Sequence, residues 1–164
     1  MPFSKTDSER AQNLALLDYA TVKPVSYELL RWVRTYRVPA DESPVAQIFI
    51  HFFIRHADAA VEDVEKALRT SKLDSWKYAI VTQILPEWPR FAIDPLKNSL
   101  AQLVTDTGNP ETALMALRIL AKYYPQDREW LSGWLTYYVG RMERNLWEAH
   151  QITDTYFSDG PLPE

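Results

Sequence analysis

Cysteine is absent from the 164 residues, which excludes disulfides, thiol catalysis and cysteine-ligated zinc or iron–sulfur sites. Glycine is nearly absent: four residues, beside eleven prolines. No hydrophobic run is long. The most apolar one, Val45 to Ile54, has ten residues and contains Gln47 and His51, far short of a membrane span. The start, Met1 to Arg10, is polar and leads into no signal-type apolar stretch, so the expectation is a soluble cytoplasmic protein without a membrane partner. A surplus of positive charge is missing too. The net charge of −4 argues against a nucleic-acid partner, which needs a positive field. No G-x-x-x-x-G-K-[ST] loop, G-x-S-x-G elbow or G-x-G-x-x-G turn occurs, so the chain is expected not to be an enzyme and to carry no cofactor.

What is present is apolar surface in helical spacing. With 46 % hydrophobic and 13 % aromatic residues, the length suits one domain, 1–164, with a packed core. Leu29, Trp32, Val33 and Tyr36, then Val61, Val64 and Leu68, then Leu96, Leu100, Leu103 and Val104 recur at three and four. Pro24, Pro44, Pro95 and Pro110 suit a helix's first turn, and Ser43, Asp94 and Asn109 precede three of them as caps. Gly108 reads as a helix stop. The predicted helices are 7–19, 24–37, 44–56, 58–69, 74–85, 90–106, 110–124 and 127–156, an all-α chain without comparable strand signals. Their starts recur roughly every 35 residues, the footprint of a short HEAT-like α–α solenoid of seven or eight antiparallel helices. An up-and-down bundle is the alternative. The repeat core would span 18–124, and 158–164, with Gly160, Pro161 and Pro163, would be a loose tail.

The elements Tyr27-Glu28-Leu29-Leu30-Arg31-Trp32, Pro44-Val45-Ala46 and Asp74-Ser75-Trp76-Lys77-Tyr78 together resemble a little-characterised bacterial family of small HEAT-like helical domains, over about residues 18 to 124. Where that family has tryptophan before the Pro-Val-Ala element this chain has Ser43, and Ala40 to Glu42 read as an insertion. The resemblance implies architecture and a surface offered to a partner, and it supplies no activity.

Two surfaces stand out. Gln47, His51 and Arg55, spaced by four, make one polar line on an otherwise apolar helix. With Lys77, Arg118 and Lys122 they would give a neutral-to-basic groove suited to an acidic segment; the plainer reading is solvated side chains on the helices' exposed edges. Neither His51 nor His56 has a metal-ligand neighbour, and Asp58 reads as a helix cap. Glu62, Asp63 and Glu65 read as a solvated face, Asp127 and Glu129 as first-turn acids. The second surface is the final helix, 127–156, thirty residues and about 45 Å if continuous. Leu131, Leu135, Tyr138, Met142, Leu146 and Ala149 form its core stripe. Trp130, Trp134, Tyr137 and Ile152 widen the apolar arc, Arg141 and Arg144 lie beside it, and Gly133, Thr136 and Gly140 are placed on a different side.

Charge is uneven: residues 1–82 hold eleven basic and eleven acidic residues, and the stretch from Asp127 onward holds three basic and seven acidic. A cationic partner is therefore expected at the C-terminal end. The function expected first is a non-enzymatic protein-binding module, an immunity-type protein that neutralises a cognate toxin or effector by occlusion. A homodimeric scaffold joined through the C-terminal helix is the alternative, and a small hydrolase or nucleic-acid enzyme using His51 with Arg55 is the third.

Overall fold

Proline 44 opens the first fully described helix, α1, Pro44–Arg55, where a missing N–H costs no intrahelical bond. The computed structural model describes residues 19, 23, 24, 27, 30, 44–71, 74–141 and 146–157. The predicted helix 7–19, most of 24–37, Ser43 and the tail fall outside these, apart from helical positions at 19, 23, 24, 27 and 30. Most of the described residues are helical, and none of them forms a strand. Contacts divide the chain into two compact units, Met1–Leu96 and Lys97–Glu164.

In the first unit α1 is followed after one residue by α2, Ala57–Thr70. The residue between, His56, holds the N-cap position with no side-chain cap bond. Asp58, expected to cap, is an exposed first-turn acid instead, favourable to the helix dipole. Helix α2 buries a single stripe, Ala57, Ala60, Val64, Ala67 and Leu68; of the predicted Val61, Val64 and Leu68, Val61 is only half-buried. Tyr19 stacks on Phe52 with ring centroids 5.8 Å apart and donates its hydroxyl to Asp63 at 2.5 Å. Glu65 pairs with Arg69 one turn on, at 2.9 Å, and Glu62 lies 3.9 Å from Lys23 with both side chains exposed.

Helix α3, Asp74–Ala79, does not run to 85. It widens into a π turn, Ile80–Ile84, and tightens into a 3₁₀ turn, Leu85–Glu87. Pro86 has no N–H to continue the ladder, the Leu85 N–H reaches back to the Ile80 carbonyl, and the Thr82 hydroxyl donates to the Tyr78 carbonyl at 2.7 Å. The next predicted helix, 90–106, is also divided: α4 is Arg90–Ile93, a 3₁₀ turn covers Asp94–Leu96, and α5 is Lys97–Thr105. Pro95 causes this break, and Asp94, inside the 3₁₀ turn, pairs with Arg90 at 3.7 Å.

The second unit is built on α6, Pro110–Tyr123. Thr112, Ala113, Leu114, Ala116, Leu117, Ile119, Leu120 and Ala121 are buried, most of its circumference, because α5, α7 (Arg128–Arg141) and α8 (Leu146–Tyr156) all pack on it. Asn109 precedes it without capping it and donates instead to Asp106 at 2.8 Å. Gly108 does not have positive φ, so it is no left-handed helix stop. Asp106 organises that turn, accepting from the Gly108 N–H at 3.2 Å.

A single 30-residue C-terminal helix is not what forms. The Arg128 guanidinium lies 5.5 Å from the centre of the Phe157 ring, whereas 29 residues of straight helix would separate them by about 43 Å. The chain turns back between α7 and α8, which touch one another; residues 142–145, including Met142 and Arg144, lie outside the described residues. Leu131, Leu135, Tyr138, Ala149 and Ile152 are buried.

Three buried aromatic donors tie distant helices by their backbone. The indole N–H groups of Trp76 and Trp88 donate to the carbonyls of Leu30 and Phe53, each at 3.0 Å, and the Tyr138 hydroxyl donates to the Val104 carbonyl at 2.5 Å. Phe53 and Val104 belong to the last turns of α1 and α5, where carbonyls lack intrahelical donors. Burial first, then the charges of Tyr137 and Asp106, push the Tyr138 hydroxyl up to about 12 from its ordinary 10.0. Because the folded state holds this proton more tightly, its contribution to stability is intact below pH 10 and is lost as pH rises towards 12. Alkaline denaturation followed by circular dichroism should show that loss, and Tyr138→Phe should remove this part of the slope.

Candidate partner-binding surface

Pro125 starts a 3₁₀ turn, Pro125–Asp127, that leads into α7. Two contacts fix this corner: Lys97 pairs with Asp127 at 2.9 Å and lies 4.3 Å from the centre of the buried Tyr124 ring. The Ser132 hydroxyl is taken up within the helix by the Arg128 carbonyl at 2.8 Å. The outward face of α7 therefore owes its character to larger side chains.

Those are aromatic. Trp130 contacts Trp134 (centroids 6.4 Å apart), Trp134 contacts Tyr137 (5.5 Å) and Tyr138 (6.1 Å), and Tyr137 contacts Tyr138 (5.3 Å). Only Tyr138 of these four is buried; Trp134 and Tyr137 are half-buried, and Trp130 is 43 % exposed. The ladder thus runs from the core outward and ends at Trp130. At 3.6 residues per turn, Gly133 lies about 60° around the axis from Trp130, and Gly140 the same from Tyr137. Both are exposed, and a Cβ at either would meet nothing within 4 Å. Placed on a different side by the sequence reading, these glycines in fact flank the ladder on the same open face. Gly133→Ala should therefore raise stability by about 0.5–1 kcal/mol, measurable by urea denaturation.

On the other flank of Trp130 is a cleft of about 220 Å³, lined by Lys97, Ala101, Leu120, Asp127, Trp130 and Leu131. Its floor is hydrocarbon and its charged pair is already matched. Glu129, about 100° around the axis from Trp130 on the side away from Leu131, is exposed.

The basic candidates sit elsewhere. His51 and Arg55 are exposed one turn apart on α1, and Gln47 is one turn before them with its side chain outside the described residues. The Arg55 Nε donates to His56 Nε2 at 3.3 Å. Lys77 is half-buried on α3, while Arg118 and Lys122 are exposed one turn apart on α6, Lys122 lying 4.9 Å from the Tyr123 ring centre. None of them lines the cleft. Arg141 ends α7, with its side chain outside the described residues. No group of histidine and carboxylate side chains suited to a metal ion occurs among the described residues, and no helix among them is long and apolar enough to cross a membrane. Lys97 of the cleft and Phe91, 63 % exposed at α4, were not singled out from sequence; a lone lysine and a lone phenylalanine carry no spacing signal.

The profile of a domain of unknown function, DUF5071, matches residues 1–124. The chain belongs to the DUF5071 family. No curated protein matches it, and no solved structure does. The DUF5071 match stops before Pro125, so α7 with its aromatic ladder, and α8, lie past it.

Proposed function

We propose that this DUF5071 protein is a non-enzymatic protein-binding module that holds its partner on the open face of α7. The observation that carries this reading is Trp130: a large aromatic 43 % exposed at the end of a ring ladder rooted in the core, beside a ready-made cleft. A tryptophan so supported is held in place before binding, and such residues dominate interface energetics. The seven acidic against three basic residues from Asp127 onward favour a cationic partner. A bacterial toxin or effector with a basic active site, occluded by an immunity-type protein in the cytoplasm, fits that description.

The finer architecture we read as HEAT-like. Two of the aromatic donors reach back 35 and 34 residues, Trp88 to Phe53 and Tyr138 to Val104, close to the period of the helix starts, and this supports repeated helix pairs. A second reading, a homodimeric scaffold, is favoured by the open glycines Gly133 and Gly140, which permit close approach of another helix.

Affinity capture from the native host separates these readings. A stoichiometric heteropartner lost with Trp134→Glu supports the binding module. A concentration-independent dimer in light scattering that Trp134→Glu dissociates, with no heteropartner captured, supports the scaffold. Charge reversal at Arg55 and Arg118 should leave capture unchanged if α7 is the interface.

A further inference from the structure

Resting on the α7 reading, we infer that the cleft beside Trp130 receives one bulky apolar side chain of the partner, followed within a helical turn by an arginine or lysine that crosses the Trp130 ring toward Glu129. Size comes first. At about 220 Å³ the cleft is below the roughly 300–1,000 Å³ of small-molecule sites, and it is roomy enough for a single large side chain.

Chemistry of the lining selects what that side chain is. Ala101, Leu120, Leu131 and the Trp130 ring offer no hydrogen-bonding group beyond the indole, and the two charged residues, Lys97 and Asp127, neutralise each other at 2.9 Å. An apolar anchor leaves that pair intact. An acidic anchor would compete with Asp127 for Lys97 and leave an unmatched carboxylate in the cleft.

The flanking cation follows from what remains. Across Trp130 from the cleft, Glu129 is an exposed carboxylate in no hydrogen bond or ion pair among the described residues. A cation lying over the exposed indole face gains from the ring and from Glu129 together. A second copy would bring its own Glu129 and the same acidic surplus to this spot, which makes a heterologous partner the better occupant.

The test uses three synthetic fifteen-residue alanine-based helical peptides added to the full chain. One carries phenylalanine with arginine four residues on, one carries phenylalanine with glutamate there, and one carries arginine with alanine in place of phenylalanine. Binding is followed by NMR at the Trp130 indole N–H and at the Lys97 and Ala101 amides. The inference predicts that the first peptide binds about tenfold tighter or more than either of the others, with the largest shifts at the cleft. Equal binding of the glutamate or alanine peptide, shifts centred elsewhere, or no shift would each overturn it. Ala101→Trp, which plugs the cleft, should abolish the effect without loss of helicity; if it lowers the melting temperature, Ala101→Leu takes its place. In capture from the native host, a partner lost with Trp134→Glu and retained with the plugged cleft would leave the α7 reading standing and remove this inference. A partner indifferent to both would remove both.

Discussion

Trp88→Ala is expected to cost about 3–5 kcal/mol, enough to unfold or nearly unfold the first unit, given typical domain stabilities of about 5–15 kcal/mol. The ring is 1 % exposed, so truncation opens a large cavity, and it strands the Phe53 carbonyl that the indole caps at 3.0 Å. Trp88→Phe separates the two effects. It keeps most of the apolar volume and loses the hydrogen bond, so its cost should fall to roughly 1–3 kcal/mol. Urea denaturation monitored by far-ultraviolet circular dichroism measures both. Trp130→Ala, by contrast, should change stability by no more than about 0.5 kcal/mol, as for an exposed position.

The same Trp130→Ala change should weaken partner binding by about 2 kcal/mol or more, roughly 30-fold in Kd. The asymmetry with Trp88 is the point: one tryptophan holds the fold, the other is held out by it. Trp134 acts beneath, its ring centre 6.4 Å from that of Trp130 and 5.5 Å from that of Tyr137, both in tilted edge-type contact. Trp134→Ala should therefore also lower affinity, and the double variant should lose less than the two single losses summed, because the rings form one contact network. Titration calorimetry with the captured partner gives these values. Strict additivity would mean that the ladder does not act as a unit.

Helix identity was legible in the sequence because burial on one stripe leaves a period. The α2 stripe from Ala57 to Leu68 and the broad burial of α6 both match their apolar spacing. Helix ends were less legible, for a consistent reason. Pro95 was read as compatible with a helix over 90–106, yet it removes an N–H from the ladder and a 3₁₀ turn forms there; Pro86 falls just past the predicted end of 74–85, and the π turn Ile80–Ile84 before it leaves no local signal. Asn109 has the chemistry of a cap, but a side-chain partner nearby, Asp106, claims it. The doubling back of α7 and α8 was invisible, because a continuous helical period across 127–156 does not encode where the chain turns.

The candidate surface was half legible. Trp130, Trp134 and Tyr137 were picked out because their spacing widened the apolar arc beyond what one neighbour could cover. The cleft was not, since Lys97, Ala101, Leu120 and Asp127 come from three separate stretches that only folding brings together. The buried caps were equally hidden: nothing local to Trp88 or Tyr138 announces a carbonyl 35 or 34 residues away.

Hydroxyl-radical footprinting of the chain alone and in its captured complex tests the central claim most directly, because three large side chains serve as reporters: Tyr78, Phe91 and Trp130, exposed by 38 %, 63 % and 43 %. The account predicts that the partner protects Trp130 from oxidation while Tyr78 and Phe91 react as in the free protein. Protection confined to Phe91 or Tyr78, with Trp130 oxidised at its free rate, would contradict it.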